Sequence, residues 1–285
     1  MKFYFVTTDH LETKIWFRDE EDFRVGMNYV AVTAAALKID VIAFILMSNH
    51  VHFFLMCWNI KEARKFIDYF KKLYSSYCRK KYGEVRFLRR NDVDIREIDL
   101  EDEGFERVVA YILMNSVAAK ICLTPSGYRW GSGSCYFNDK KESGKPIGSF
   151  SARAVSRLVH SETALPGDWI IGSEGYVLPE SYVRIDIVEK VFKTPARMLY
   201  HLNSSSKAKR NRDLEGIAFR DQILIGSLED LCQSIFKKKT FGDLSNDEKA
   251  EALKQLRWRF GADVHQISRV SGIPYEKVTE MLNKL

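Results

Sequence analysis

The chain has no C-x-x-C pair, and its five cysteines (Cys57, Cys78, Cys122, Cys135 and Cys232) are scattered and odd in number. That spacing speaks against a cysteine zinc site and a disulfide framework, and it fits reduced thiols in the cytoplasm. A basic segment leading into an unbroken apolar run is missing from the start, so no signal peptide is expected. No apolar run is long enough for a membrane span, because Val41–Trp58 is interrupted by Ser48-Asn49-His50. Internal repeats are absent as well. With 46% hydrophobic and 29% charged residues, the 285-residue chain has the composition of a globular protein, and its length suits more than one domain.

Inside Val41–Trp58, His50 and His52 stand one residue apart among Phe, Leu and Met. On a strand, side chains at i and i+2 share a face about 6.6 Å apart, close enough to converge on one divalent cation. The alternative is one solvated histidine and one core histidine with a backbone partner. The apolar flanks favour the cation, because buried imidazoles need something to satisfy their nitrogens.

Net charge is +6, but it is unevenly spread. Lys61–Arg90 holds eleven basic residues against three acidic ones, which leaves the rest of the chain slightly acidic. Lys71, Lys72, Arg79, Lys80, Lys81, Arg89 and Arg90 form a basic stripe suited to a polyanion, or else the solvated side of an amphipathic helix.

Periodicity predicts a strand over 2–7, a helix over 20–37, strands over 41–47 and 50–58, and a basic helix over 60–82 that stops at Gly83. A strand over 93–98 and a helix over 99–120 follow, the latter entered through an acidic cluster. This order is that of a ferredoxin-like plait with one added helix. The fold class is therefore α+β, with a mostly helical carboxy-terminal region. The Gly-, Ser- and Pro-rich stretch 124–150 marks a domain boundary, and the polar segment 204–212 reads as a linker. The expected units are 1–137, 138–212 and 213–285.

The last thirty residues have helix-turn-helix spacing around Gly272, although a plain helical hairpin shares it. In such a motif Tyr275 and Lys277, at the start of the second helix, would meet duplex DNA.

Met47-Ser48-Asn49-His50-Val51-His52-Phe53-Phe54-Leu55 resembles the signature of the HUH single-tyrosine transposases. Tyr111-Ile112-Leu113-Met114-Asn115 is similar to that family's closing helix. Tyr128–Ser134 resembles the end of the same domain in the REP-associated branch, so the likeness spans roughly 1–137. It implies a DNA transposition enzyme that cuts single-stranded DNA beside hairpins through a 5′-phosphotyrosine bond. It further implies Mg²⁺ or Mn²⁺ on His50 and His52 with Asn115 as third ligand, and a homodimer near the nucleoid. Tyr111 matches the nucleophile of the insertion-sequence members. In the REP-associated branch the nucleophile falls at the position of Asp94, and Tyr77 is a further candidate. A domesticated relative that reads DNA structure without cutting is the other function compatible with these residues.

Overall fold

The computed structural model describes residues 1–8, 15–84, 88, 92–140, 142–205 and 219–283. Strands β1 (Lys2–Thr7), β2 (Asp40–Leu46), β3 (Val51–Cys57) and β4 (Asp94–Glu97) form one sheet in the order β2-β3-β1-β4. Every neighbouring pair is antiparallel, and helices α1 (Glu20–Leu37) and α2 (Ile60–Tyr82) complete a ferredoxin-like plait.

Local chemistry sets the ends of both helices. Asp19 caps α1 by accepting from the Asp22 amide, and Asn59 caps α2 by accepting from Lys61 and Glu62. Gly83 closes α2 in the left-handed region at φ 71°, where a side chain would be strained. The two faces of the sheet carry different partners. Phe53 points to α2, its ring 5.2 Å from Phe66 and 5.4 Å from Phe70. His52 and Phe54, on the opposite face, meet α3 (Gly104–Leu113) through Tyr111 and Phe105.

The helix expected over 99–120 is broken twice. Asp102 and Glu103 take left-handed backbone angles before α3, so the acidic cluster forms a tight turn rather than a first helical turn. The turn demands Gly104, since a Cβ there would lie 1.9 Å from the Asp99 carbonyl oxygen. A second interruption at Met114 separates α3 from the short α4 (Asn115–Ala118).

Within the Gly- and Ser-rich stretch, residues 128–136 run beside β2. Leu46 N donates to Trp130 O (2.8 Å), Ser132 N to Phe44 O (3.0 Å) and the Tyr128 hydroxyl to Leu46 O (2.7 Å). The segment thereby covers an edge strand that would otherwise expose unpaired amides. The apolar core of the plait continues into α5 (Ala152–Val159), α6 (Ile185–Phe192) and α7 (Pro195–Ser204), where Val159, Val188 and Phe192 are fully buried. A small hairpin, β5 (Gly144–Pro146) with β6 (Ile170–Gly172), lies in the same region. Thus the stretch 124–150 does not separate two cores. Of the expected linker, 206–212 lies outside the described residues.

A second core unites α8 (Asp221–Ser234), α9 (Asn246–Phe260), α10 (Val264–Ser271) and α11 (Tyr275–Asn283) around Leu224, Leu253, Leu256, Ile267 and Val278. Helix α10 ends at Gly272, whose φ of 71° lets the chain turn into α11.

Candidate active site

The loop between β2 and β3 sets the first histidine. Met47 N donates to His50 O (2.9 Å), while Trp16 N and Phe17 N both donate to Ser48 O. His50 therefore stands just ahead of β3, not within a strand as its spacing suggested. Its ring nevertheless turns toward His52, with 4.7 Å between centroids at an interplanar angle of 82°. Two imidazoles on neighbouring positions of one divalent ion, each nitrogen about 2.1 Å from it, bring their ring centres about 4.6 Å apart. Thus the pair fits a shared cation. His50 Nδ1 donates to Asn49 Oδ1 at 2.8 Å, so the lone pair for a metal resides on Nε2.

His52 is 1% exposed, stacked on Phe5 (5.6 Å) and met edge-on by Tyr111 (5.7 Å). Tyr111, half-buried on α3, joins that aromatic cluster and also borders open space. Asn115, one turn further on, is buried, and its Nδ2 donates to Tyr111 O (2.8 Å) and Ile112 O (3.2 Å). These bonds fold the amide nitrogen back onto the last turn of α3. For a cation only its carbonyl oxygen remains as a donor. Among the described residues, no group of three or more His, Cys, Asp or Glu side chains could hold a metal ion. A third ligand from the described protein would therefore be an amide, a carbonyl or a hydroxyl.

The other tyrosine candidate is elsewhere. Tyr77 lies on α2, across the sheet from His52, and its hydroxyl donates to Asp22 Oδ1 (2.8 Å). Burial pushes its phenol well above the usual range, which opposes formation of a nucleophilic phenolate. Asp94 is in register with Thr7 on β1, and Thr7 in turn with His52 on β3. The Asp94 carboxylate pairs with Arg96 at 2.5 Å.

The basic stripe and the histidines are not brought together. Helix α2 packs Phe66, Phe70 and Tyr74 inward on the face away from His52, so Lys72, Arg79 and Lys80 point outward from that opposite side. Lys71 is half-buried, and burial lowers its pKa. Lys81 contacts the carboxylates of Asp19, Glu21 and Asp22. Burial works against its charge, but the hydrogen bonds it donates to those carboxylates outweigh that and raise its pKa. These contacts pin α2 to α1. Arg89 and Arg90 lie outside the described residues. Tyr275 and Lys277 are exposed at the start of α11, with the Tyr275 ring 4.4 Å from His265.

Cations that do approach Tyr111 escaped the reading of the sequence, because each is isolated in it. Arg96 and Arg107 border a groove of about 520 Å³ that reaches Tyr111 from the β4 side. A second cleft, of about 570 Å³, has Asn49, His50 and Tyr111 on one wall and Arg220, His265 and Arg269 on the other. The two walls are fastened together. Ser48 Oγ donates to Asp221 Oδ2 (2.5 Å), and Arg269 donates to both Asp221 oxygens (2.7 and 3.0 Å). Burial alone would raise the Asp221 carboxyl, yet the Arg269 charge and these hydrogen bonds hold it below the ordinary carboxylate range.

Residues 4–92 match the family model described as "Transposase IS200 like". The match contains His50 and His52 and ends before Tyr111 and Asn115. Neither the curated proteins nor the solved structures gave a match. No helix among the described residues is long and apolar enough to cross a membrane.

Proposed function

From the match of residues 4–92 to the IS200-like transposase model and the geometry around His52, we propose that this transposase-like protein cleaves and rejoins single-stranded DNA beside hairpins, with Tyr111 as nucleophile. One observation carries the reading: Tyr111 touches His52, whose ring converges with that of His50, beside an open cleft.

His50 and His52 would hold Mg²⁺ or Mn²⁺, with the Asn115 carbonyl oxygen as third ligand. Bound there, such an ion would supply Lewis-acid neutralisation of charge on the phosphoryl oxygens. Tyr111 Oη forms a bond to phosphorus while the P–O3′ bond breaks. The phenol proton is released, and the departing 3′-oxygen takes one up. The ester bond is conserved as a 5′-phosphotyrosine, so rejoining needs no outside energy source. Phe5, stacked on His52, helps to fix the imidazole. Exposed Tyr275 and Lys277 at the start of α11 suit contact with a duplex stem, and two copies would serve to exchange two strand ends.

A second reading, a DNA-structure reader that no longer cuts, draws support from Asn115, whose amide nitrogen is turned onto its own helix. Incubation of the protein with a labelled hairpin oligonucleotide and Mn²⁺ separates the two. A covalent adduct present in the wild type and missing in Tyr111→Phe supports cleavage. Binding without adduct supports the reader.

A further inference from the structure

The cleft beside Tyr111 is built by two parts of the chain, and its far wall carries two arginines with different duties. Arg269 is engaged bidentately by the buried Asp221 carboxylate, so its charge is already balanced. Arg220 is half-buried, and among the described residues it belongs to no ion pair. Arg220 lines the same cleft as Tyr128, His50 and Tyr111.

The backbone around Arg220 is tied down on both sides. Before it, Phe219 O accepts from Gln266 Nε2 (2.7 Å). After it, Asp221 holds Ser48, and Gln222 Nε2 donates to Phe17 O (2.6 Å). Arg220 itself starts α8, its carbonyl accepting from Ile223 and Leu224. With its backbone so fixed, Arg220 lines the cleft that His50 and Tyr111 also border, within reach of an anion lying there.

We propose that Arg220 is a phosphate-binding residue of the cleft, supplied by the carboxy-terminal helical region, and that it contacts a backbone phosphate of a DNA strand lying against Tyr111. Guanidinium geometry suits this, since its fork can donate to two phosphate oxygens at once. The inference rests on the reading of the cleft as a DNA-cleaving site, but it concerns binding and is read out without cleavage.

The test uses the full chain without added metal and a fluorescein-labelled twenty-nucleotide oligothymidylate, with affinity followed by anisotropy across a salt series. Arg220→Ala is expected to weaken binding about tenfold and to flatten the slope of log K against log salt by about 0.7, the loss of one phosphate contact on a single strand. Arg220→Lys keeps the charge and should keep the wild-type slope. Arg153→Ala, on the exposed side of α5, should match the wild type. An unchanged affinity and slope in Arg220→Ala overturns the assignment, and so does an Arg220→Lys variant as weak as the alanine. If Arg220→Ala shows the expected loss but the wild type never forms an adduct, the cleavage reading fails and Arg220 stands. If adducts form while Arg220→Ala binds like the wild type, the reverse holds.

Discussion

Ser48 and Asp221, 173 residues apart in sequence, share a buried hydrogen bond of 2.5 Å two residues from His50. The bond couples the β2–β3 loop to the first helix of the carboxy-terminal region.

This coupling has a pH signature. The Asp221 carboxyl has a lower pKa folded than unfolded, so its stabilisation is full above the unfolded value near pH 4 and lost as pH falls through the folded value. Asp221→Asn should therefore lower stability at pH 7 by about 3 kcal/mol, as expected when a buried pair loses one charge. Urea titrations should show the gap between the two proteins starting to narrow as pH falls below about 4. A gap that did not narrow at all as the pH was lowered would rule the ion pair out as its source.

Asn49 holds the His50 ring through its Nδ1, and the proposed metal site depends on that contact. Removing its carbonyl in Asn49→Ala frees His50 Nδ1 to exchange tautomers, and Mn²⁺ affinity should fall by about ten- to a hundredfold. Titration followed by the electron paramagnetic resonance of free Mn²⁺ measures this directly. His50→Ala and His52→Ala should abolish metal-dependent cleavage yet leave most oligonucleotide affinity.

The two tyrosines should separate cleanly. Tyr77→Phe removes a buried hydrogen bond to Asp22 and is expected to cost about 1–2 kcal/mol in thermal or urea unfolding while adduct formation continues. Tyr111→Phe should do the opposite, keeping stability and losing the adduct.

Gly131 lies where the 128–136 segment meets β2, and a Cβ there would sit 2.8 Å from Phe44 O. Gly131→Ala should force the segment off the strand edge and destabilise the fold by about 1–3 kcal/mol. Faster exchange of the Leu46 amide, which donates to Trp130 O, would locate the damage.

Neutralising Lys72, Arg79 and Lys80 together should leave binding of a short oligonucleotide in the Tyr111 cleft within about twofold, because these side chains face away from it. A tenfold loss would show that the strand wraps around to α2.

Helices α1 and α2 were legible to their ends because Asp19, Asn59 and Gly83 act on backbone groups a few residues away. The strand order also followed, since the alternation of β- and α-type periodicity admits few antiparallel plaits. The breaks at Asp102–Gly104 and Met114 were hidden, because the first depends on the Asp99 carbonyl approaching Gly104 and the second leaves no mark in composition. Of the site, the histidine pair was plain from its spacing, whereas the fold of the Asn115 amide onto its own helix was not.

Periodicity, caps and the His50–His52 spacing are short-range, so the chain's local chemistry was enough to declare the plait and to single out the two histidines, whose rings the fold brings together. Which charges face that pair was decided by packing. A basic helix with buried Phe66 and Phe70 must lie on the sheet face that Phe53 occupies, and that carries its lysines away from His52. Isolated Arg220 reaches the cleft only through contacts between residues over a hundred positions apart, such as Ser48 with Asp221. Contacts of that range leave no periodic trace, and only the folded chain brings them together.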